Sequence, residues 1–278
     1  MGGRGRVVTS PLLALGGGPP PSAPPRATHL RRNLLAGAAL AAVFAFAAHV
    51  IELRPLELFR DARNIGVFLR GYLNPSFANL PEYAWQCLVT LSIALWGTLL
   101  AVVLAVPLGL LGARNVAPHP VLYVAARRVM DVLRAVNEFV FALMFVTAVG
   151  LGPFAGMLAL GIHTGGVLGK LLSETVEAID PGQLEAVAAT GAGSLHVVAF
   201  GVAPQVVPNF LSYILLRFES DIRSASVIGM VGGGGIGFYL WDTIRAFNDR
   251  EAATVILLIV GMVMCGDLVS ARIRRAAI

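Results

Sequence analysis

The uncharged stretch at residues 88–111 constrains the fold of this chain more than any other feature. It contains no Asp, Glu, Lys or Arg, and about 20 apolar residues in a helix are enough to cross the hydrocarbon core of a bilayer. Backbone polar groups in lipid must be satisfied within the protein, which favours a helix for such a segment. The stretch therefore predicts an integral membrane protein.

Composition extends this prediction to the rest of the chain. Charged residues make up 13% of the sequence, against about 25% in soluble domains, and the mean hydropathy is +0.76. We therefore expect an all-α membrane protein with about six transmembrane helices. The other predicted spans are 34–51, 129–150, 154–172, 205–216 with an extension through 221, and 252–269.

Three parts of different character follow one another along the chain. Residues 1–30 are rich in Pro and Gly, which predicts a disordered cytosolic tail. Residues 31–83 hold the first transmembrane helix and an amphipathic outer-face segment at 52–83. A cleaved signal peptide is the alternative for the first apolar run, although its polar leader is long for one. Residues 84–278 form the core domain, which contains a cytosolic loop at 173–204.

The distribution of basic residues predicts the orientation. With the N-terminus inside, 13 of the 21 Lys and Arg residues lie on the cytosolic side and 8 lie outside, as the positive-inside rule favours. Both termini of this multi-pass cell-membrane protein are thus predicted to be cytosolic and its spans to contact lipid. No basic patch is interleaved with aromatic residues, which argues against nucleic acid as a partner. Cys87 and Cys265 lie in or beside apolar runs and are expected to be buried thiols.

A short helix with a signal at each end is predicted in the loop at 173–204. Asp180 is suited to the N-cap, and Pro181 to the first helical position, where its missing N–H costs nothing. Gln183 stands where a capping box places its second residue. Gly191 can adopt the left-handed conformation that ends a helix.

One side of this short helix is apolar. Leu184, Val187 and Ala188 are spaced i, i+3 and i+4. Because a helix this short is only marginally stable alone in water, the apolar side is expected to dock into a groove on another protein. Packing of the helix on its own domain is the alternative.

Two nucleotide-binding patterns are incomplete. The segment 164–171 resembles a phosphate loop but lacks the first Gly and the final Ser or Thr. The segment 232–237 fits G-x-G-x-x-G without the strand–helix alternation of a dinucleotide site. We therefore expect no nucleotide site, no metal site and no enzymatic activity in this chain.

Several residues inside the predicted spans have structural interpretations. His163 is expected to be a hydrogen-bonded interior residue, and Arg134 and Glu138 an i, i+4 pair. Small residues at every fourth position allow transmembrane helices to approach closely. Such repeats are formed by Gly97, Ala101, Ala105 and Gly109, and by Gly161, Gly165 and Gly169.

The short loop helix carries a family resemblance. Glu185-Ala186, Gly191 and Pro204 resemble the EAA loop of binding-protein-dependent ABC importer permeases, with Val187 in place of the family's second Ala. The segments 112–115, 149–160 and 217–237 are similar to phosphonate-importer permeases. The Gly-rich part also occurs in methionine-importer permeases, and the whole resemblance covers residues 88–278.

This resemblance implies a type I ABC importer permease fold and a function. A second copy of the chain, two cytosolic ABC ATPases and an extracytoplasmic substrate-binding protein are the implied partners, and the ATPases bind the ATP and Mg²⁺. The implied substrates are phosphonate-class anions; a permease for phosphate, phosphite or methionine is the alternative, and a secondary transporter is a further one from another class. The implied ATPase-coupling residues are Leu184, Glu185, Ala186, Val187, Ala188 and Gly191.

Charged and small residues after position 216 are candidates for the translocation path. A dianion at membrane depth must be paired, and Arg217 and Arg223 flank two carboxylates near the predicted outer end of the fifth span. The alternative is an Arg–carboxylate network that holds a helix end. The candidate path or gate residues are Arg217, Glu219, Arg223, Ser224, Ser226, Gly232, Gly233, Gly234 and Gly235.

Overall fold

The computed structural model describes residues 26–60 and 62–277, and the regular elements in that part of the chain are all helical. The chain divides into two compact units, Met1–Arg63 and Asn64–Ile278. Residues 26–30 are helical, contrary to the predicted disorder. The rest of the predicted tail, residues 1–25, lies outside the described residues.

The first unit contains two helices, α1 (Arg26–Val50) and α2 (Pro55–Arg60). Residues Arg32–Val50 of α1 are long and apolar enough to cross a membrane, as predicted. The single amphipathic helix predicted at 52–83 is wrong. Polar residues and Pro55 interrupt it, and the segment instead holds α2, then α3 (Ala62–Tyr72), and the beginning of the next helix at Leu80.

The second unit is a bundle of long apolar helices with shorter ones between them. Four of its helical segments are long and apolar enough to span a membrane: Leu80–Leu111, Pro153–Glu177, Val198–Gly233 and Asp249–Arg275. The helices are α4 (Leu80–Leu111), α5 (Pro120–Ala135), α6 (Glu138–Val149), α7 (Pro153–Glu177), α8 (Pro181–Ala189), α9 (Ser194–Val197), α10 (Ala203–Ile228), α11 (Ile236–Arg245) and α12 (Asp249–Ala277).

The predicted span at 129–150 is wrong as a single helix. Helix α5 ends at Ala135, α6 begins at Glu138, and the two are bent by 88°. Only the pair taken together could cross the membrane, which would bring the described spans to six. The polar residues of this segment, from Asp131 to Glu138, therefore surround a break in the helix.

Helices α4 and α7 pack side by side through small residues. Gly97 lies against Leu160, and Gly161 lies against Leu100, so an added Cβ would come within 3.0 Å of the facing side chain at either glycine. The same contact pattern continues with Gly165 against Leu104. The predicted small-residue packing is confirmed, and it brings α4 and α7 together in parallel.

The second unit has two opposite ends. At the end here called the α8 end, the carboxyl ends of α4 and α7 meet: the backbone N–H of Arg114 donates to Glu177, and Asn115 donates to the carbonyl of Val176. At the end here called the glycine end, Tyr83 of α4 donates to Glu251 of α12 at 2.7 Å. Helix α10 starts at the α8 end and runs toward the glycine end, antiparallel to α12.

Candidate functional site

The caps predicted for the loop helix are present in α8, except that Gln205 takes the role predicted for Gln183. The Asp180 carboxylate accepts from the backbone N–H of Gly182 at 2.9 Å, and Pro181 is the first helical residue. The predicted capping box with Gln183 is wrong, because the backbone N–H of Asp180 donates to the side chain of Gln205 in α10 at 3.2 Å. This long-range bond ties the start of α8 to α10.

Gly191 ends the loop helix in the predicted way. Its φ is +78°, and its N–H donates to the carbonyl of Ala188 at 3.0 Å. No atom outside the immediate chain lies within 4 Å of a Cβ added at Gly191. The backbone conformation alone therefore requires glycine there.

The apolar side of α8 is divided between the chain itself and the surface. Leu184 and Val187 are partly buried and face Gly201, which begins the approach to α10. The interpretation of the whole stripe as free for docking is therefore wrong in part. The residues of α8 that remain exposed include Glu185, Ala186 and Ala188.

A buried carboxylate lies at the centre of the second unit. Asp221 of α10 is 1% exposed and accepts from Thr98 of α4 at 2.8 Å and from Thr164 of α7 at 2.9 Å. Thr98 is near the middle of the uncharged run 88–111, so this carboxylate lies at mid-membrane depth. Charges at this depth are rare and mark polar pathways or interhelical locks. The two hydroxyls make Asp221 a link among three helices.

The break between α5 and α6 lies beside this link. Asn137 caps α6, accepting from the N–H of Phe139 at 2.9 Å. The ring of His163 from α7 approaches the Val136 carbonyl at 2.8 Å and Glu138 at 3.3 Å. The expected Arg134–Glu138 pair is wrong, since the bend carries Glu138 away and Arg134 pairs with Asp131 at 3.3 Å. The interpretation of His163 as a hydrogen-bonded interior residue is confirmed.

The charged residues of α10 pair with α12. Arg223 lies 3.3 Å from Asp267, and Glu219 pairs with Arg274. The prediction that these residues lie near the outer end of the span is wrong, because α10 continues to Ile228. The buried Nε atom of Arg217 has no hydrogen-bond partner among the described residues. Helix α10 thus carries a cation with an unsatisfied donor, one turn from Asp221.

A pocket of about 480 Å³ opens where the α5–α6 break faces α10. Two predicted path residues, Arg223 and Ser224, line it, and Ser224 donates to Glu138 at 2.9 Å. Ser226 does not line it: this residue is buried, and its hydroxyl donates to the Ile222 carbonyl of its own helix. The pocket is lined by Asn137, Glu138, Phe139, Arg223, Ser224, Val227 and Ile228.

The predicted glycine break is present between α10 and α11. Residues Gly229–Gly233 form a π-helical turn, and Gly232, Gly234 and Gly235 have φ of +96°, +78° and +76°. The carbonyl of Gly232 accepts from Gly152 at the start of α7 at 2.9 Å. The break therefore packs backbone to backbone against α7, and Gly232 also lines a pocket of about 610 Å³.

A family model decides what kind of protein carries these features. The model for "Binding-protein-dependent transport system inner membrane component" matches residues 105–277. The chain belongs to this family of permeases. The permease resemblance predicted from the loop helix is thus confirmed, and α8 lies within the matched region.

Individual relatives and solved structures agree with this membership. The permease is 38% identical over 201 residues to the phosphite transport system permease protein PtxC of Stutzerimonas stutzeri, covering 72% of this chain and 73% of that protein. It is 36% identical over 228 residues to the phosphate-import permease protein PhnE of Mycolicibacterium smegmatis, covering 82% of this chain and 43% of that protein. Its fold matches a chain of the inward-facing MetNI methionine ABC transporter with a TM-score of 0.64 and 19% identity, over 73% of this chain and 99% of that chain.

Membership has direct consequences for the role of the chain. The protein is a multi-pass inner membrane component with the all-helical fold of type I ABC importer permeases. It is the non-catalytic membrane subunit of a transport complex that depends on a binding protein and an ATPase.

Several polar residues of this permease were missed by the sequence analysis. Thr98, Thr164 and Asn137 are single polar residues within apolar runs, and no local spacing distinguishes them from other such residues. Of the two cysteines predicted to be buried, Cys87 is half-buried and Cys265 is exposed on α12; both are free thiols. Across residues 26–60 and 62–277, no group of three or more His, Cys, Asp or Glu side chains could hold a metal ion.

Proposed function

We propose that this permease, paired with a second copy of itself, forms the membrane path of an ATP-driven importer for small phosphorus oxyanions: phosphonates, phosphite or phosphate. The observation that carries the proposal is the pocket beside the α5–α6 break, where Arg223 and Ser224 offer a cation and a hydroxyl within one helical turn of Asp221. Two relatives that are 38% and 36% identical to it over the aligned residues are named as phosphite and phosphate permeases. An oxyanion at membrane depth needs such partners.

The ATPase side of the proposal rests on α8. Two cytosolic ATPases, which bind the ATP and Mg²⁺, dock on the exposed face around Glu185, Ala186 and Ala188. The contact of Leu184 and Val187 with the approach to α10, together with the Asp180–Gln205 bond, passes the movement of α8 to the helix that carries Arg223. Both termini are then cytosolic, and the binding protein delivers substrate at the glycine end.

Reconstitution of the complex tests the proposed function. The permease, its ATPase and its binding protein are incorporated into proteoliposomes, and uptake of phosphate, phosphite, methylphosphonate and methionine is measured with and without ATP. We expect ATP-dependent uptake of at least one phosphorus oxyanion and none of methionine. Methionine uptake without oxyanion uptake, or accumulation without ATP, contradicts the proposal, as does ATP hydrolysis by the permease alone.

A pair of glycines tests the coupling role of α8. Gly191→Val forces a β-branched residue into φ +78°, so we expect ATP hydrolysis to be uncoupled from uptake. Gly193→Val is the matched control, because Gly193 is equally open and has no left-handed φ. Normal uptake and normal co-purification of the ATPase with the Gly191→Val permease would remove α8 from the coupling path.

A further inference from the structure

The ring of His163 lies between two oxygen atoms that accept hydrogen bonds. Its Nδ1 atom is 2.8 Å from the carbonyl of Val136, which can only accept, so Nδ1 carries a hydrogen. Its Nε2 atom is 3.3 Å from Oε2 of Glu138. His163 is therefore placed to compensate a negative charge on Glu138.

His163 and Glu138 each have a second hydrogen-bond partner on the side that faces away from the other. The Val136 carbonyl is available to His163 because α5 ends at Ala135 and the chain turns at the break. The other oxygen of Glu138 accepts from Ser224 of α10 at 2.9 Å. The His163 side chain is 12% exposed and that of Glu138 is 23% exposed. The charge on Glu138 is therefore compensated by His163 rather than by solvent.

Most of the other charged groups around Glu138 have partners of their own, although Asp221 also interacts electrostatically with Arg217 and His163. Arg223 pairs with Asp267 and Arg134 with Asp131, while Asp221 accepts from two threonines. Arg217, on α10, has no hydrogen-bond partner for its buried Nε. Among the described residues, His163 is thus the group that lies against the Glu138 carboxylate from the opposite side to Ser224. Without His163, Glu138 would place an uncompensated negative charge in the pocket lined by Arg223 and Ser224.

We infer that His163 is a positioning residue for anion passage: by compensating the charge of Glu138, it permits an oxyanion to occupy the pocket at the α5–α6 break. The inference rests on the proposed function and adds a residue and a physical role to it. A carboxylate beside a dianion disfavours its binding, and compensation of that carboxylate by His163 lowers this barrier. His163 itself does not contact the substrate.

Charge-compensated variants test the inference in the reconstituted complex. ATP-dependent uptake of phosphate, phosphite and methylphosphonate is measured per assembled complex for His163→Gln, Glu138→Gln and the double variant. We expect His163→Gln to lose about thirtyfold or more in uptake, because one partner of a buried charge pair is removed. Glu138→Gln loses less, and the double variant regains most of the loss because the carboxylate that faces the pocket at position 138 is also removed. His49→Gln, in α1, is the control for the substitution itself and is expected to transport like the unaltered protein.

Rescue separates charge compensation from a purely structural role. Uptake by His163→Gln equal to that of the unaltered complex overturns the inference, and so does a double variant that transports no better than His163→Gln. If His163→Gln fails to assemble, an assembled and active double variant supports the inference, and an inactive or unassembled one overturns it. An unaltered complex that transports none of the three anions overturns the proposed function and the inference with it, which distinguishes that failure from a failure of His163 alone.

Discussion

Two breaks interrupt the membrane helices of this permease, and they are built differently. The break at Gly229–Gly235 consists of backbone: Gly232, Gly234 and Gly235 have positive φ, and the break packs against the start of α7. The break at Val136–Asn137 consists of side chains: Asn137 caps α6, and His163 satisfies the freed Val136 carbonyl. Irregular backbone at membrane depth persists only where such partners cover it.

The difference assigns different roles to the two breaks. Backbone-to-backbone contact cannot adapt without separating helices, so the glycine break is a fixed joint between α7, α10 and α11. Hydrogen bonds from side chains can be exchanged for bonds to a ligand or to water. The polar break therefore suits a path through which anions pass. Substitutions should lower stability most at the glycine break and uptake most at the polar break.

The largest expected effect is at the glycine break. In Gly234→Ala, the added Cβ would lie 2.8 Å from the Pro153 nitrogen at a φ of +78°. Strain and overpacking together should cost about 3 kcal/mol of stability. Thermal unfolding of the purified complex measures this loss. Gly261→Ala, with nothing within 4 Å, is the control, and equal melting temperatures for the two variants would show that the joint is not rigid.

A smaller loss of stability is expected at the polar break. Asn137→Ala removes the cap of α6 and should cost about 1.5 kcal/mol, while uptake falls by more than the loss of folded complex explains. His119→Ala removes the exposed cap of α5, which accepts from Val121 at 3.2 Å. We expect that control to change stability slightly and uptake per complex not at all. Parallel losses of stability and uptake in Asn137→Ala would make this break purely structural.

Two serines on α10 provide a closer comparison. Ser224→Ala removes the bond to Glu138 across helices, at a cost of about 1 kcal/mol, and should lower uptake severalfold. Ser226→Ala removes a bond within the same helix and should leave uptake per complex unchanged. Uptake by proteoliposomes measures both. A larger uptake loss at Ser226 than at Ser224 would move the path away from the pocket at the polar break.

The smallest change in stability is expected from Arg223→Gln. Its ion pair with Asp267 is about half exposed on both sides, at 51% and 47%, and such pairs contribute about 0.5 kcal/mol. Uptake should nevertheless weaken, because the cation of the pocket is lost. Melting temperature and uptake are measured on the same preparation. Lowered complex stability with normal uptake per complex would instead assign Arg223 to holding α10 against α12.

The sequence predicted one break and missed the other for a physical reason. Four consecutive glycines, 232–235, are a local signal, because no other residue type adopts left-handed backbone so freely. Asn137 and Glu138 lie in a segment whose apolar second half continues to residue 149, so composition favours one continuous span. Only the contact of α7 and α10 with the break makes a bend of 88° stable there.

The same distinction applies to the loop helix. The caps at Asp180 and Gly191 were predicted correctly because each acts within a few residues. The hydrogen-bond partner of the Asp180 N–H was not predicted, because Gln205 is 25 residues away in the sequence. The sequence also did not determine which side of α8 faces its own chain. The structure shows Gly201 beside Leu184 and Val187.

By itself, the sequence determined the class of the protein, the positions of most spans, the small-residue packing of α4 and α7, the loop helix and the family. These features depend on hydrophobic length, on local caps and on backbone freedom, all of which are written in neighbouring residues. The tertiary structure decided which polar groups meet at mid-membrane depth. Asp221 meets Thr98 and Thr164, and Glu138 meets His163 and Ser224, because helices distant in sequence bring single polar side chains into hydrogen-bonding distance.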